Sequence, residues 1–382
     1  MRPYVMISAA LLTACASTAD NSQSAAQTWT PWRVASPDDA GFDEDAVVAL
    51  VDELRRGDHG DVDHFLLIRG GRKVVDERFP RASYATLIDQ RSSTPRPSHD
   101  YSNADWHPYR AETELHTMQS VSKSVTSIGV GMAIADGALP GVDAKVTRYL
   151  DDVPVHDDAR WSQMTVADLL TMRSGIDWTP PEGSVGYTID HPTMLMEASQ
   201  RWVAFVAQRP MRASPGTEFE YVDGASVLLG HVVHRAVGER IDAYLKRRLF
   251  DPIGIKEWQW KTSASGEVDT EGGLYLTAQG LARIGVLFLN DGRWNDTQIV
   301  PPEWVAQSTA PHVPMPDGGA YGYQWWSLYH EDETSLAYGA FGFGGQALIV
   351  DRETQTVAVF LGWDNSQDTS ALFMTRILAA LR

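Results

Sequence analysis

The chain has 382 residues, 43% hydrophobic and 21% charged, with 13 Trp, 13 Tyr and 11 Phe, a composition that excludes disorder and collagen-like structure and leaves room for a sizeable core. Fifty Asp plus Glu against 32 Lys plus Arg give a formal net charge of −18, a field that repels phosphate backbones, so no nucleic-acid partner is expected. The single cysteine excludes an intrachain disulfide and any multi-cysteine metal site.

That cysteine ends the first recognisable segment. The run from Met6 to Ala14 is apolar but too short to span a bilayer as a mature helix, and with Arg2 before it and a polar stretch after it reads as a signal-peptide core. Leu12-Thr13-Ala14-Cys15 resembles a bacterial lipobox. The resemblance implies cleavage before Cys15, a lipid on that cysteine, and an exported protein held on a membrane, with the outer membrane, facing periplasm or cell surface, as its destination. A plain secretory signal with a chance cysteine is the alternative. Residues 1–14 are then the signal, 15–30 the lipidated cysteine and a flexible tether, and 31–382 the folded domain.

Along that domain, Glu44 to Arg56 carries helical spacing with Asp43 as N-cap, and a hairpin follows, His64 to Ile68 and Val74 to Phe79, turning at Gly70-Gly71. Residues 80–110 are polar and aromatic without period, a long loop of the kind that is usually functional. Helical spacing returns over 120–136, 166–172, 194–208, 226–237, 241–250 and 274–289. Strand-like runs at 321–328, 346–351 and 357–361 precede a closing helix over 369–381. Strands at both ends and helices between predict an α/β (α+β) fold, its sheet built from about 31–135 and 266–382, with a helical lobe inserted over about 136–265.

The chemistry-bearing pattern is Ser120-Val121-Ser122-Lys123, an S-x-x-K at a helix start. Residues three apart share a helix face, and the face of Ser120, Lys123, Ser127 and Gly131 is polar or small, while Val121, Val125, Ile128 and Met132 look elsewhere. A serine there has backbone N–H groups and the positive dipole end nearby, both favourable to an oxyanion, and a buried lysine beside it has a lowered pKa and can act as base. Alone, the pattern is common. Its surroundings are not: Glu114 to Gly137 (ELHTMQSVSKSVTSIGVGMAIADG) resembles the nucleophile segment of the penicillin-recognising serine hydrolases. Five further segments follow in the family's order: 165–178 (TVADLLTMRSGIDW), 215–223 (PGTEFEYVD), 272–283 (GGLYLTAQGLAR), 321–326 (YGYQWW) and 342–346 (GFGGQ). Together they cover about residues 40–382 and are most similar to the class C β-lactamase-related branch that includes 6-aminohexanoate-dimer hydrolases and family VIII carboxylesterases.

This resemblance implies a β-lactamase/transpeptidase-like fold, an antiparallel sheet flanked by helices, and acyl transfer without metal or cofactor. It makes Ser120 the nucleophile, Lys123 its proton acceptor and Tyr221 a proton shuttle, with the N–H groups of Ser120 and Phe343 as an oxyanion hole beside Gly342, Gly344 and Gly345. Two positions depart from the pattern. Asp223 stands where the Y-x-N motif has Asn; it either pairs with Lys123 and keeps it protonated or binds substrate differently. Ala340-Phe341-Gly342 stands where β-lactamases carry K-T-G, which removes a carboxylate-binding cation and suits an uncharged ester or amide. Tyr187 and Trp326 are further candidates for substrate contact, while Trp325 reads as core. The expected partner is a small ester or amide; oligomeric state is not legible. A β-lactamase or D-alanyl-D-alanine carboxypeptidase is the rival within the class, a non-catalytic penicillin-binding-like sensor the rival outside it.

Other patterns lose to plainer readings. The stretch from His59 to His64 has metal-ligand residue types but sits between helix and strand and reads as a solvated turn. A Ser-His-Asp triad lacks its G-x-S-x-G elbow, and the glycines at 342–345 lack the lysine of a phosphate loop.

Overall fold

Strand β1 (Arg33–Val34) leads to helix α1 (Glu44–Arg56), whose first turn is closed by Asp43, the carboxylate accepting the Ala46 N–H at 3.0 Å. The computed structural model describes residues 33–79, 113–183, 186–188, 190–316, 319–329, 336–364, 366 and 368–382. Cys15, the signal and tether, and the long loop expected over 80–110 lie outside the described residues. The expected hairpin is β2 (Val62–Arg69) and β3 (Arg72–Arg78); Gly70 and Gly71 take φ of 52° and 76°, the left-handed pair its tight turn needs.

In chain order the further strands are β4 (His116–Thr117), β5 (Trp258–Trp260), β6 (Leu274–Leu276), β7 (Arg293–Trp294), β8 (Thr297–Gln298), β9 (Val313–Pro314), β10 (Ala320–Tyr321), β11 (Trp326–Tyr329), β12 (Leu336–Gly342), β13 (Gln346–Asp351) and β14 (Thr356–Gly362). The further helices are α2 (Val121–Ala135), α3 (Val166–Leu170), α4 (Pro192–Ala198), α5 (Trp202–Ala207), α6 (Asp223–Val237), α7 (Ile241–Leu245), α8 (Asp251–Ile253), α9 (Ala278–Leu289), α10 (Pro302–Thr309) and α11 (Thr369–Leu372). Nine strands form one sheet in the order β1-β3-β2-β14-β13-β12-β11-β10-β9, antiparallel except for the β1–β3 pair. The last strand pairs with the second, Val359 opposite Leu66 and Phe360 opposite Phe65, so the two ends of the chain close the sheet together.

Alternation divides the core between the two faces. Phe65, Leu67, Ile349, Ala358 and Phe360 pack with Leu50 and Leu54 of α1 and Phe373 and Ile377 of the C-terminal turns. Leu66, Ile68, Leu348, Val350, Val357 and Val359 belong to the larger cluster with α2, α6 and α9. On α9, a Cβ at Gly285 would lie 2.6 Å from Leu348 and from Val357, so the helix rests directly on the sheet. This is the fold class expected from the sequence. Among the described residues no helix is long and apolar enough to cross a membrane.

The differences are local. The helix expected over 194–208 is two, α4 and α5, broken at Ser199, because the Trp202 N–H is capped from a distance by Glu267 Oε2 at 2.6 Å. The helix expected from Leu274 begins at Ala278: Leu274–Leu276 is a strand between β4 and β5, and Thr277 caps the helix by accepting the Gly280 N–H at 2.9 Å. The run 321–328 breaks into β10 and β11 at a turn where Gln324 takes φ of 64°. The closing helix is α only over 369–372, then widens into a π turn over 373–377 and tightens into a 3₁₀ turn over 378–380.

α2 is buried on nearly every side, its polar face included. A Cβ on Gly131 would lie 2.2–2.4 Å from the indole of Trp304 in α10. Gly131→Leu is therefore expected to destabilise the protein by about 1–3 kcal/mol through overpacking, read as a lower urea midpoint. A wild-type midpoint would show that Trp304 yields freely.

Candidate active site

Ser120 stands at the N-cap of α2, a position where serine normally turns its hydroxyl onto the helix amides, yet it makes no side-chain cap bond. Its Oγ instead accepts from Lys123 Nζ at 3.0 Å, one turn along the same face. The preceding residue, Gln119, has φ of 47°, a left-handed conformation that costs a non-glycine residue about 1–3 kcal/mol and is concentrated at functional sites.

Lys123 is among the most deeply buried side chains of the protein, 1% exposed. Its ammonium meets Asp223 Oδ1 at 2.9 Å, the Glu271 carbonyl oxygen at 2.8 Å and Glu271 Oε2 at 3.1 Å. It also lies 5.1 Å from the centre of the Tyr221 ring. Burial alone would lower the lysine's pKa, but Asp223, Tyr221 and Glu271 override it and hold Lys123 well above the ordinary value. The expectation of a lysine whose pKa is lowered by burial is thereby corrected. Tyr221 is pushed upward by burial, against the pull of Lys123.

Asp223 is the first residue of α6, where the helix dipole favours a carboxylate. Of the two roles open for it, the structure places it in the pairing one. Burial resists its ionisation, but Lys123 outweighs this and holds the group below the ordinary Asp value. Its second oxygen, Oδ2, accepts from Thr193 Oγ1 at 2.5 Å and from Tyr187 at 3.2 Å. Thr193 is in turn fixed by the Trp178 indole N–H at 3.0 Å.

Glu271 was not singled out by the sequence reading, although it directly precedes the Gly272-Gly273 segment. Its chain threads between α2 and α6: Thr126 Oγ1 donates to the Thr270 carbonyl at 3.1 Å, Thr270 Oγ1 to the Ser226 carbonyl at 2.7 Å, and Leu274 N to Ser122 Oγ at 3.0 Å. Burial pushes the Glu271 carboxyl well above its ordinary value.

The turn after β12 completes the site. A Cβ on Gly342 would lie 2.4 Å from the Met118 carbonyl oxygen, so only glycine lets this strand end reach the corner before Ser120. Gly344 and Gly345, with φ of 86° and 89°, carry the turn back into β13. Phe343 at its tip is 45% exposed and meets Tyr187 and Trp363 edge to face at centroid distances of 6.5 and 5.8 Å. Trp326 stacks on Tyr221 at 6.2 Å, while Trp325 is core, stacked on Phe288 at 4.6 Å. His59 and His64 turn to different carboxylates, Glu53 at 2.8 Å and Asp76 at 2.7 Å, as separate structural contacts.

A hydroxyl, an ammonium and a phenol converging at a helix start, on a sheet closed by both chain ends, define a serine hydrolase of the transpeptidase-like class. The chain belongs to the β-lactamase family, whose family model matches residues 47–380. It is 25% identical to the 6-aminohexanoate-dimer hydrolase of Paenarthrobacter ureafaciens over 71% of this chain and 74% of that protein. Over a shorter stretch, 39% of each protein, it is 29% identical to esterase EstB of Burkholderia gladioli. Among solved structures, EstCE1, a hydrolase with promiscuous acyltransferase activity, superposes with a TM-score of 0.67 at 16% identity, covering 88% of this chain and 98% of that one.

The Gly342 contact yields a direct test. Gly342→Ala is expected to push the strand end off the Met118 corner and to lower kcat/KM by about 10²-fold, the usual cost of losing one oxyanion donor. Wild-type turnover in this variant would show that the close approach is not needed.

Proposed function

We propose that the protein is an exported, lipid-anchored serine hydrolase that cleaves uncharged esters or linear amides through an acyl-enzyme on Ser120. The observation that carries this reading is the Ser120 hydroxyl, withheld from its helix and held 3.0 Å from the Lys123 amine nitrogen. Ser120 Oγ attacks the acyl carbonyl as its proton passes to Lys123, and the carbonyl oxygen becomes an oxyanion facing the N–H groups of Ser120 and Phe343. Tyr221, whose ring lies 5.1 Å from Lys123 Nζ, relays a proton to the leaving alcohol or amine, and water then attacks the acyl carbon and restores the hydroxyl.

Substrate choice is argued from position 340. Ala340 lies on β12 two residues before Gly342, on the face turned to the larger core, and is 1% exposed. A methyl group there offers no charge-assisted hydrogen bond to a substrate carboxylate, a contact usually worth about 1.5–3 kcal/mol. By transition-state arithmetic that is roughly 10- to 150-fold in kcat/KM. A hydrolase named for the 6-aminohexanoate dimer and an esterase among the relatives support the same preference.

In a panel of p-nitrophenyl esters, short linear amides and nitrocefin, neutral short-chain esters are expected to turn over fastest. Ser120→Ala should abolish both turnover and fluorophosphonate labelling while thermal unfolding stays at the wild-type midpoint. Nitrocefin outrunning every ester would replace the esterase reading with the β-lactamase one, and labelling that survives in Ser120→Ala would remove the nucleophile assignment.

The anchor is read from Leu12-Thr13-Ala14-Cys15 alone. Cys15→Ser is expected to shift the protein from the membrane to the soluble fraction, or to leave it uncleaved, since the lipid is the anchor the sequence offers. Unchanged, fully processed membrane association would refute it.

A further inference from the structure

The reaction described above gives Glu271 no part, yet two of its oxygens contact the Lys123 ammonium, at 2.8 and 3.1 Å. Behind it lies Glu197 of α4, with a carboxyl oxygen within 4.8 Å of oxygens of Glu271 and Asp269. Lys261, just after β5, reaches Asp269 at 2.8 Å and Glu197 at 3.7 Å, and Tyr275 of β6 faces the same group. Asp223 of α6 faces Glu271 across Lys123, with Tyr221 and Tyr187 beyond it.

Four carboxyl groups, Asp223, Glu197, Asp269 and Glu271, thus surround two ammonium groups, Lys123 and Lys261, in an interior where all four acids are under a tenth exposed. Uncompensated charge there is costly, so neutrality places a proton on each of two carboxyls. Donors decide which two. Asp223 already has Lys123, Thr193 and Tyr187; Asp269 has Lys261 and the Gly272 N–H at 3.1 Å. Glu197 and Glu271 remain, with oxygens within 4.8 Å of each other in the buried cluster, and like charges that close disfavour ionisation of both. Burial favours the same pair, pushing Glu197 up to about 7 and Glu271 well above its ordinary value.

We propose that Glu271 is a positioning residue for the Ser120–Lys123 pair, the internal proton acceptor that frees Lys123 as an amine; the proposal rests on the reading of Ser120 as nucleophile. At rest Lys123 is an ammonium, Asp223 a carboxylate and Glu271 a carboxylic acid. Loss of one proton to solvent leaves a carboxylate on Glu271. That carboxylate takes a proton from Lys123 Nζ, giving an acid and an amine with no change in net charge. The amine lone pair then accepts the Ser120 hydroxyl proton as the Oγ–C bond forms and the carbonyl electron pair moves onto oxygen. Activity therefore rises with pH as far as the titration of the Glu271–Lys123 pair, which behaves as one coupled unit, and not as far as that of a lysine paired with Asp223 alone.

The test is the pH profile of kcat/KM on a p-nitrophenyl ester for wild type, Glu271→Gln and Glu197→Gln, with the fluorophosphonate-labelled peptide mapped in each. In Glu271→Gln no carboxylate remains to take the Lys123 proton, so freeing the amine means titrating the ammonium beside Asp223 itself, and the midpoint of the acid limb is expected to move up by about one pH unit or more. Glu197, raised to about 7, becomes a negative neighbour of Glu271 as the pH rises; in Glu197→Gln a neutral amide stands there at every pH, and the midpoint is expected to move down. A Glu271→Gln midpoint that stays in place while turnover falls at every pH makes Glu271 a packing residue and overturns the proposal. If Glu271→Gln does not fold, Glu197→Gln decides: a downward shift supports the proposal, and an unmoved or raised midpoint overturns it. A label mapped away from Ser120 in the wild type overturns the nucleophile reading, and the proposal with it. A label on Ser120 with unmoved midpoints overturns the proposal alone.

Discussion

One ammonium group organises the centre of this protein. Lys123 is 1% exposed on a helix that is itself buried, and a charge so placed is tolerated only where other groups repay its lost hydration. The repayment is distributed over the chain: Ser120 from the same helix, Asp223 from the start of α6 and both a carboxylate and a carbonyl oxygen from Glu271. Each contributor needs its own support. Gly230 in α6 illustrates this, since a Cβ there would lie 2.6 Å from Thr270, and the segment of chain that delivers Glu271 would be held away from α6. The lysine thus accounts for side chains and for backbone approach well beyond its first neighbours.

Asp223 extends that order outward to the rim. One of its oxygens faces Lys123 and the other accepts from Tyr187, whose ring meets Phe343 at the tip of the glycine turn. A single tyrosine therefore links the counter-ion of the buried lysine to the glycine turn after β12. The charge of Asp223 pushes the Tyr187 phenol well above its ordinary value, so the hydroxyl remains a donor across the working pH range. With Asn at position 223 the oxygen facing Lys123 would carry no full charge, and the balance between ammonium and amine would rest on Glu271 alone.

What the sequence made legible follows the range of the interaction. Ser120 and Lys123 are three apart on one helix, so their meeting is written in helical geometry, and the hairpin, the helix over 44–56 and the strands 346–351 and 356–362 are likewise local patterns. Glu271 lies 148 residues from Lys123, and nothing in its own neighbourhood distinguishes it from any acid before a glycine pair. The same limit explains the misread helices. The α4–α5 break depends on Glu267, 65 residues away from the amide it caps, and Leu274–Leu276 is a strand because β4 and β5 flank it, while its apolar residues alone continue the pattern of α9. The polar face of α2 was visible as a pattern, but its burial was not: Ser122 accepts the Leu274 amide, and Ser124 and Thr126 donate to carbonyls of Gln324 and Thr270.

That burial bears on how the Ser120 position is held. Serine at a helix start would ordinarily spend its hydroxyl on the helix amides, a contact worth about 1 kcal/mol, and Gln119 would ordinarily avoid a left-handed backbone at about 1–3 kcal/mol. Both local preferences are overridden within two residues. A helix fixed only by its own caps would relax by turning Ser120 inward. α2 does not depend on its cap, because thirteen of its fifteen residues are buried against the sheet, α6, α7 and α10. Packing at that scale outweighs the local cost, so Ser120 turns its hydroxyl to Lys123 instead of to the helix amides, and tertiary burial rather than helix propensity sets that geometry.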